Sequence, residues 1–142
     1  IQDVIATLDP LPGAKEFLDR LRAEAQVIIL SDTFEQFAMP LMKKLDYPAI
    51  FCNTLEVAPN GEITGFKMRC ENSKYTTVRA LQSMGFDTIA CGDSYNDVGM
   101  IDASKAGFLF NAAPKLKAER PDLPAFDSYD DLFDAIMKAY RS

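Results

Sequence analysis

The sequence contains no histidine. Imidazole acid–base catalysis and most zinc sites are therefore excluded, and any chemistry falls to carboxylates, hydroxyls and lysines. Cysteine is sparse as well. Cys52, Cys70 and Cys91 form no CxxC pair, and an odd number of thiols without a secretory signal suits a reducing cytoplasm. No apolar run approaches the length of a membrane span, and no signal-peptide pattern opens the chain. Basic residues are outnumbered, 15 Lys and Arg against 21 Asp and Glu, giving a net charge of −6. That balance argues against nucleic-acid binding, which needs clustered cations to neutralise phosphates. Repeats, low-complexity tracts and Gly/Ser linkers are missing. So is an initiating methionine: the first residue is Ile1, and residues 1–8 already pattern as ordered, so the chain is expected to be part of something longer.

What is present is ordinary for a globular protein. The 142 residues are 48% hydrophobic and 25% charged, enough for one domain with a real core. Phe17, Leu18 and Leu21 share a helical face within 14–24. Val27-Ile28-Ile29-Leu30 is wholly apolar and β-branched, the pattern of a strand buried on both faces of a parallel sheet. A helix is expected from about Glu35 to Leu45, with Pro40 in its middle. Two strand-like runs, 50–58 and 63–69, flank Pro59-Asn60-Gly61-Glu62, a hairpin signal. Helix (73–84), strand (88–91), helix (94–104), strand (107–110), a short helix from Pro114 and a last helix capped by Ser128 complete the order. Such alternation predicts an α/β, Rossmann-like domain with a mainly parallel sheet and flanking helices. Ligands of such sheets bind at the carboxyl ends of the strands.

Three features at such ends carry chemistry. In Cys91-Gly92-Asp93-Ser94-Tyr95-Asn96-Asp97, a buried strand gives way to a helix. Asp93 and Asp97 are four residues apart, so their carboxylates face one way if the turn between them is helical. Two hard oxygen ligands beside a crevice suit magnesium, which keeps waters for a phosphate to replace. Asn96 offers an amide to a phosphate oxygen. Plain helix capping is the competing reading. In Ser31-Asp32-Thr33 an apolar strand again ends in a hydroxyl residue before a helix, offering N–H groups and a hydroxyl to an anion. A simple N-cap explains that pattern too. Lys74 opens a helix, where the dipole disfavours a cation. It is either a cation aimed at a phosphate or a solvated surface lysine.

Together these residues give the chain a resemblance to the haloacid dehalogenase superfamily. The second motif of that superfamily is matched by Ser31, the third by Lys74, and the fourth, GDxxND, by Gly92, Asp93, Asn96 and Asp97. The chain is similar to the phosphoserine phosphatase branch, and most to its bifunctional phosphoserine phosphatase/homoserine phosphotransferase subgroup. That likeness takes in 4–8, 27–34, 40–42, 55–56, 92–97 and 129–132. The resemblance implies that Ser31 and the Asp32 N–H bind the transferring phosphoryl group and that Lys74 neutralises its charge. It also implies that Asp93 holds Mg2+ directly, Asp97 mostly through water, and that Asn96 contacts phosphate. The implied substrate is a small phosphorylated metabolite resembling phosphoserine, with homoserine as an acceptor, in serine and threonine biosynthesis. Arg69 is a candidate for a substrate carboxylate, or a surface residue.

The superfamily's first motif, DxDx(T/V), supplies the attacking aspartate, and it has no match here. Neither Ser31-Asp32-Thr33 nor Ser128-Tyr129-Asp130-Asp131 has the spacing after a buried strand. In the superfamily that motif lies upstream, followed by a helical cap. Residues 1–8 are then the tail of the cap and 9–142 an incomplete core. The strands at 27–30 and 88–92 should have unpaired edges, closed on each other or filled by another peptide. The partners expected are the missing upstream segment or a homo-oligomer. The chain alone should be inactive. Two other readings remain: a phosphatase of this superfamily for a different metabolite, and a magnesium- and phosphate-binding module without catalysis.

Overall fold

The computed structural model describes residues 2–142. They fall into two compact units, one ending at Ser73 and the other beginning at Lys74.

The first unit contains α1 (Gln2–Ala6), α2 (Ala14–Glu24), β1 (Ile28–Phe34), α3 (Glu35–Lys44), β2 (Ala49–Val57) and β3 (Ile63–Lys67). Pro12-Gly13 separates the first two helices, and Gly13 takes φ +86°, a left-handed conformation that glycine adopts without a Cβ penalty. Ala38 and Met42, one turn apart on α3, bury with Leu45 against Leu18, Ile29, Leu41 and Ile50. Pro40 does not break α3. It removes the N–H that the Gln36 carbonyl would otherwise accept. The Gln2 side-chain amide, 2.9 Å away, donates to that carbonyl instead. β1 pairs in parallel with β2, and β2 antiparallel with β3 as the Asn-Gly signal predicts. At the turn the Glu62 N–H donates to Asn60 Oδ1 at 2.9 Å.

The second unit contains the body of α4 (Ser73–Ser83), β4 (Ile89–Gly92), α5 (Tyr95–Ala103), β5 (Ala106–Phe110), α6 (Pro114–Glu119), β6 (Ala125–Phe126) and α7 (Tyr129–Tyr140). β4, β5 and β6 form a parallel sheet. Its core holds Leu109, fully buried, with Leu116, Ile101 and Leu132. Burying one such side chain contributes about 2 kcal/mol. At Gly107 any Cβ would run into the Ile101 side chain and approach its carbonyl to 2.9 Å, so α5 lies flat on β5 only because that residue is glycine. Ser128 caps α7 as expected, accepting the Asp131 N–H at 3.3 Å.

The strands form two three-stranded sheets, one parallel and one mixed. The α/β class and the helix boundaries follow the sequence closely, but three details differ. β1 continues through Ser31-Asp32-Thr33 to Phe34, with a register break between Leu30 and Phe34. Its apolar run is half-buried and not covered on both faces. Among the described residues β1 pairs only with β2 and β4 only with β5, so each has one edge without a strand partner. An unpaired edge leaves side chains and backbone open, which accounts for the partial burial. β6, two residues long, carries no pattern a sequence could show.

Candidate active site

The GDxxND segment sits at the carboxyl end of β4. Asp93 follows the strand and is exposed, and its carboxylate makes no hydrogen bond or ion pair among the described residues. Asp97 lies in the first turn of α5 and is 4% exposed. Its Oδ1 is 2.5 Å from Lys74 Nζ. Its Oδ2 accepts the N–H groups of Asp93 at 2.9 Å and Ser94 at 3.1 Å, and the Ser94 hydroxyl at 3.2 Å. Burial opposes ionisation of Asp97. The Lys74 ammonium and the two N–H donors outweigh it and hold the carboxyl below the usual aspartate range.

Gly92 makes this packing possible. A Cβ there would fall on the carboxylate and Cβ of Asp97. Lys74 is half-buried, 14% exposed in its side chain, and is therefore no solvated surface lysine. Asn96 is exposed, and its Oδ1 accepts the Ser94 hydroxyl. Beside the cluster, burial pushes the Cys91 thiol up to about 12, which leaves it inert as a nucleophile at neutral pH. Tyr95 donates its hydroxyl to Glu119 at 2.7 Å.

In the first unit Ser31 lies in the irregular stretch of β1, which runs on to Phe34 before α3 begins. Its Oγ accepts the Thr33 N–H at 3.2 Å, which leaves the hydroxyl proton to donate elsewhere. The Asp32 carboxylate accepts the Ser73 hydroxyl at 2.7 Å. The Asp32 carbonyl accepts the side-chain amide of Asn53 at 3.0 Å. Arg69 lies over the Phe51 ring at 5.4 Å and reaches the Ser73 carbonyl at 3.4 Å.

The structure thus brings Lys74, Asp93 and Asp97 into one cluster and places Ser31 and Asp32 in the other unit. Asp97 is engaged by Lys74 and the main chain, and the Asp93 carboxylate is open. Among the described residues no group of three or more acidic or thiol side chains could hold a metal. One open carboxylate at a strand end still fits magnesium, which binds through one or two carboxylates with waters and substrate phosphates. Sequence reasoning missed Asn53 and Ser73. The signal for Asn53 was available, since it shares the buried face of β2 with Leu55 and is a polar residue in an apolar position.

An α/β fold with an acidic strand end and a lysine paired to its second aspartate defines a class. The haloacid dehalogenase-like hydrolase family matches residues 1–102, and the chain belongs to that family. Among individual proteins it is 45% identical over 139 residues to phosphoserine phosphatase ThrH of Pseudomonas aeruginosa, matching 98% of this chain and 68% of the relative. A probable phosphoserine phosphatase of Vibrio cholerae, solved in unliganded form, superposes with a TM-score of 0.75 at 27% identity, over 98% of this chain and 46% of that one. A phospho-aspartyl intermediate analogue of phosphoserine phosphatase superposes with a TM-score of 0.68 at 27% identity, over 82% of this chain and 59% of that one. The chain therefore spans about half the length of these solved relatives.

Proposed function

We propose that this chain carries the metal- and phosphate-binding part of a magnesium-dependent phosphoserine phosphatase, whose phosphoryl group passes to water or to homoserine. The observation that carries the reading is the buried Lys74–Asp97 pair, 2.5 Å apart, beside the open carboxylate of Asp93. A lysine at a helix start opposes the dipole. Fixed beside an acidic metal-binding end it becomes the cation that a phosphoryl group needs.

Each residue has a role in this reading. Asp93 would hold Mg2+ directly, and Asp97, its oxygens already occupied, would act on the ion through water. Bound there, the ion would neutralise charge on phosphoryl oxygens. Ser31 donates its hydroxyl and Asp32 its main-chain N–H to the transferring group. Lys74 balances its charge, and Asn96 adds an amide contact. Phosphoryl transfer asks a protein chiefly for such positioning and charge neutralisation. The attacking aspartate comes from a DxD segment upstream of residue 1, so the chain alone does not turn over. Residues 1–8 then belong to a cap and 9–142 to the core. The one-sided pairing of β1 and β4 supports this. The free cysteines support a cytoplasmic setting, and no helix among the described residues is long and apolar enough to cross a membrane.

The test is phosphate release from a panel of small phosphate esters, with and without Mg2+. It uses the chain alone and a version extended upstream to the relatives' length, and homoserine is added in a parallel series. The expected result is metal-dependent release by the extended version alone, fastest from phosphoserine, with homoserine phosphate formed in the parallel series. Turnover by the 142-residue chain would refute the missing nucleophile. Preference for another ester would replace the substrate, and no turnover by the extended version would favour a binding module.

A further inference from the structure

We infer that Asn53 is a positioning residue that aims the Ser31 hydroxyl through a single peptide unit. This rests on the reading of Ser31 as a phosphate ligand. The parallel ladder pairs Leu30 with Phe51 and then Phe34 with Asn53, so β1 uses more residues than β2 between those points. The stretch 31–33, opposite Cys52 alone, bulges out of the ladder and loses strand partners. The Asp32–Thr33 peptide in that bulge is held at both ends by side chains. Its carbonyl accepts the Asn53 amide at 3.0 Å, and its N–H donates to Ser31 Oγ at 3.2 Å.

Asn53 is 2% exposed, and its other amide atom, Oδ1, accepts the Arg69 N–H at 2.9 Å. A buried amide satisfied on both sides has one orientation. It fixes the peptide plane, the plane fixes which lone pair of Ser31 is occupied, and the hydroxyl proton is left for a ligand. The same amide anchors the segment that leads from Arg69 to Ser73, whose hydroxyl meets the Asp32 carboxylate. Asn53 touches no ligand in this account and acts only through Ser31.

The test is inorganic phosphate binding to the full chain, followed at the backbone amides of Ser31 and Asp32. Unfolding midpoints are measured on the same samples. Asn53→Asp keeps the acceptor for Arg69 and removes the donor to Asp32. Leu55→Ala, from the same buried face, serves as a control that destabilises β2 without touching the bulge. Asn53→Asp is expected to weaken phosphate binding about tenfold, as for loss of one buried hydrogen-bond donor. Leu55→Ala should leave affinity within about twofold at a similar loss of stability. Equal affinities in the two variants would overturn the inference and make Asn53 purely structural. Ser31→Ala separates the two levels. If it binds phosphate as well as the wild type does, the Ser31 reading fails and the inference falls with it. If it binds weakly while Asn53→Asp binds normally, only the inference fails.

Discussion

Lys74 Nζ and Asp97 Oδ1 are 2.5 Å apart, and the side chains are 14% and 5% exposed. The pair joins the first turn of α4 to the first turn of α5, across 23 residues of chain. The anion is well placed by the dipole of α5, and the cation is badly placed by that of α4. The pair therefore serves a site more readily than a helix.

Removing the cation tests the pairing. Lys74→Met leaves a buried carboxylate facing an apolar chain. Two main-chain N–H groups remain on Asp97, so the loss should be about 2–3 kcal/mol, short of that for a wholly orphaned buried charge. Lys74→Arg should restore most of it. Urea unfolding of the three proteins reads the difference.

Stability should also depend on pH through Asp97. Its carboxyl is lowered by Lys74 and the N–H donors against the opposing effect of burial. A group with a depressed folded value adds stability above its unfolded value, about 3.9 for aspartate. That stability is lost as pH falls through the folded value. Asp102 and Asp122, both lowered by Arg120, are exposed and contribute in the same direction to a lesser extent. Wild type should lose stability below about pH 4 more steeply than Asp97→Asn does. Chemical unfolding from pH 6 down to the acid limit compares them.

Glycine substitutions should separate contact from conformation. Gly92→Ala drives a methyl into Asp97 and should cost about 3 kcal/mol. Gly61→Ala meets nothing within 4 Å but sits at φ +88°, so it should cost about 1 kcal/mol. Thermal melts of both variants check the order.

The helix proline predicts a coupling. Gln2→Ala should cost about 1 kcal/mol in the wild type, because the Gln36 carbonyl loses the donor that replaces the missing Pro40 N–H. In a Pro40→Ala background the helix supplies that donor, and Gln2→Ala should cost almost nothing. A double-mutant cycle measures the difference.

Much of this was legible in local patterns. The helices from Ala14, Glu35 and Ser73 show in their apolar periods and breakers, and GDxxND marks the end of β4. What was not legible depends on register and distance. Nothing near Leu30 shows that β1 slips against β2, so the strand's continuation past Ser31 to Phe34 carries no sequence signal. Asn53 is one polar residue within a strand-like run, and its partners lie 21 and 16 residues away. The capture of Asp97 by Lys74 is likewise a tertiary fact. From spacing alone, Asp93 and Asp97 looked equivalent, and only packing makes one open and the other occupied.

The most direct measurement of the central claim is phosphate release from phosphoserine by the upstream-extended protein, wild type against Lys74→Ala and Asp93→Asn. The account predicts that each variant loses about a hundredfold or more in kcat, the scale of removing one charge-stabilising group. It also predicts that raised Mg2+ partly rescues neither Lys74→Ala nor its Met counterpart. Turnover within a few-fold of wild type in either Lys74→Ala or Asp93→Asn would contradict it, because the cluster at the end of β4 would then not be where the phosphoryl group is handled.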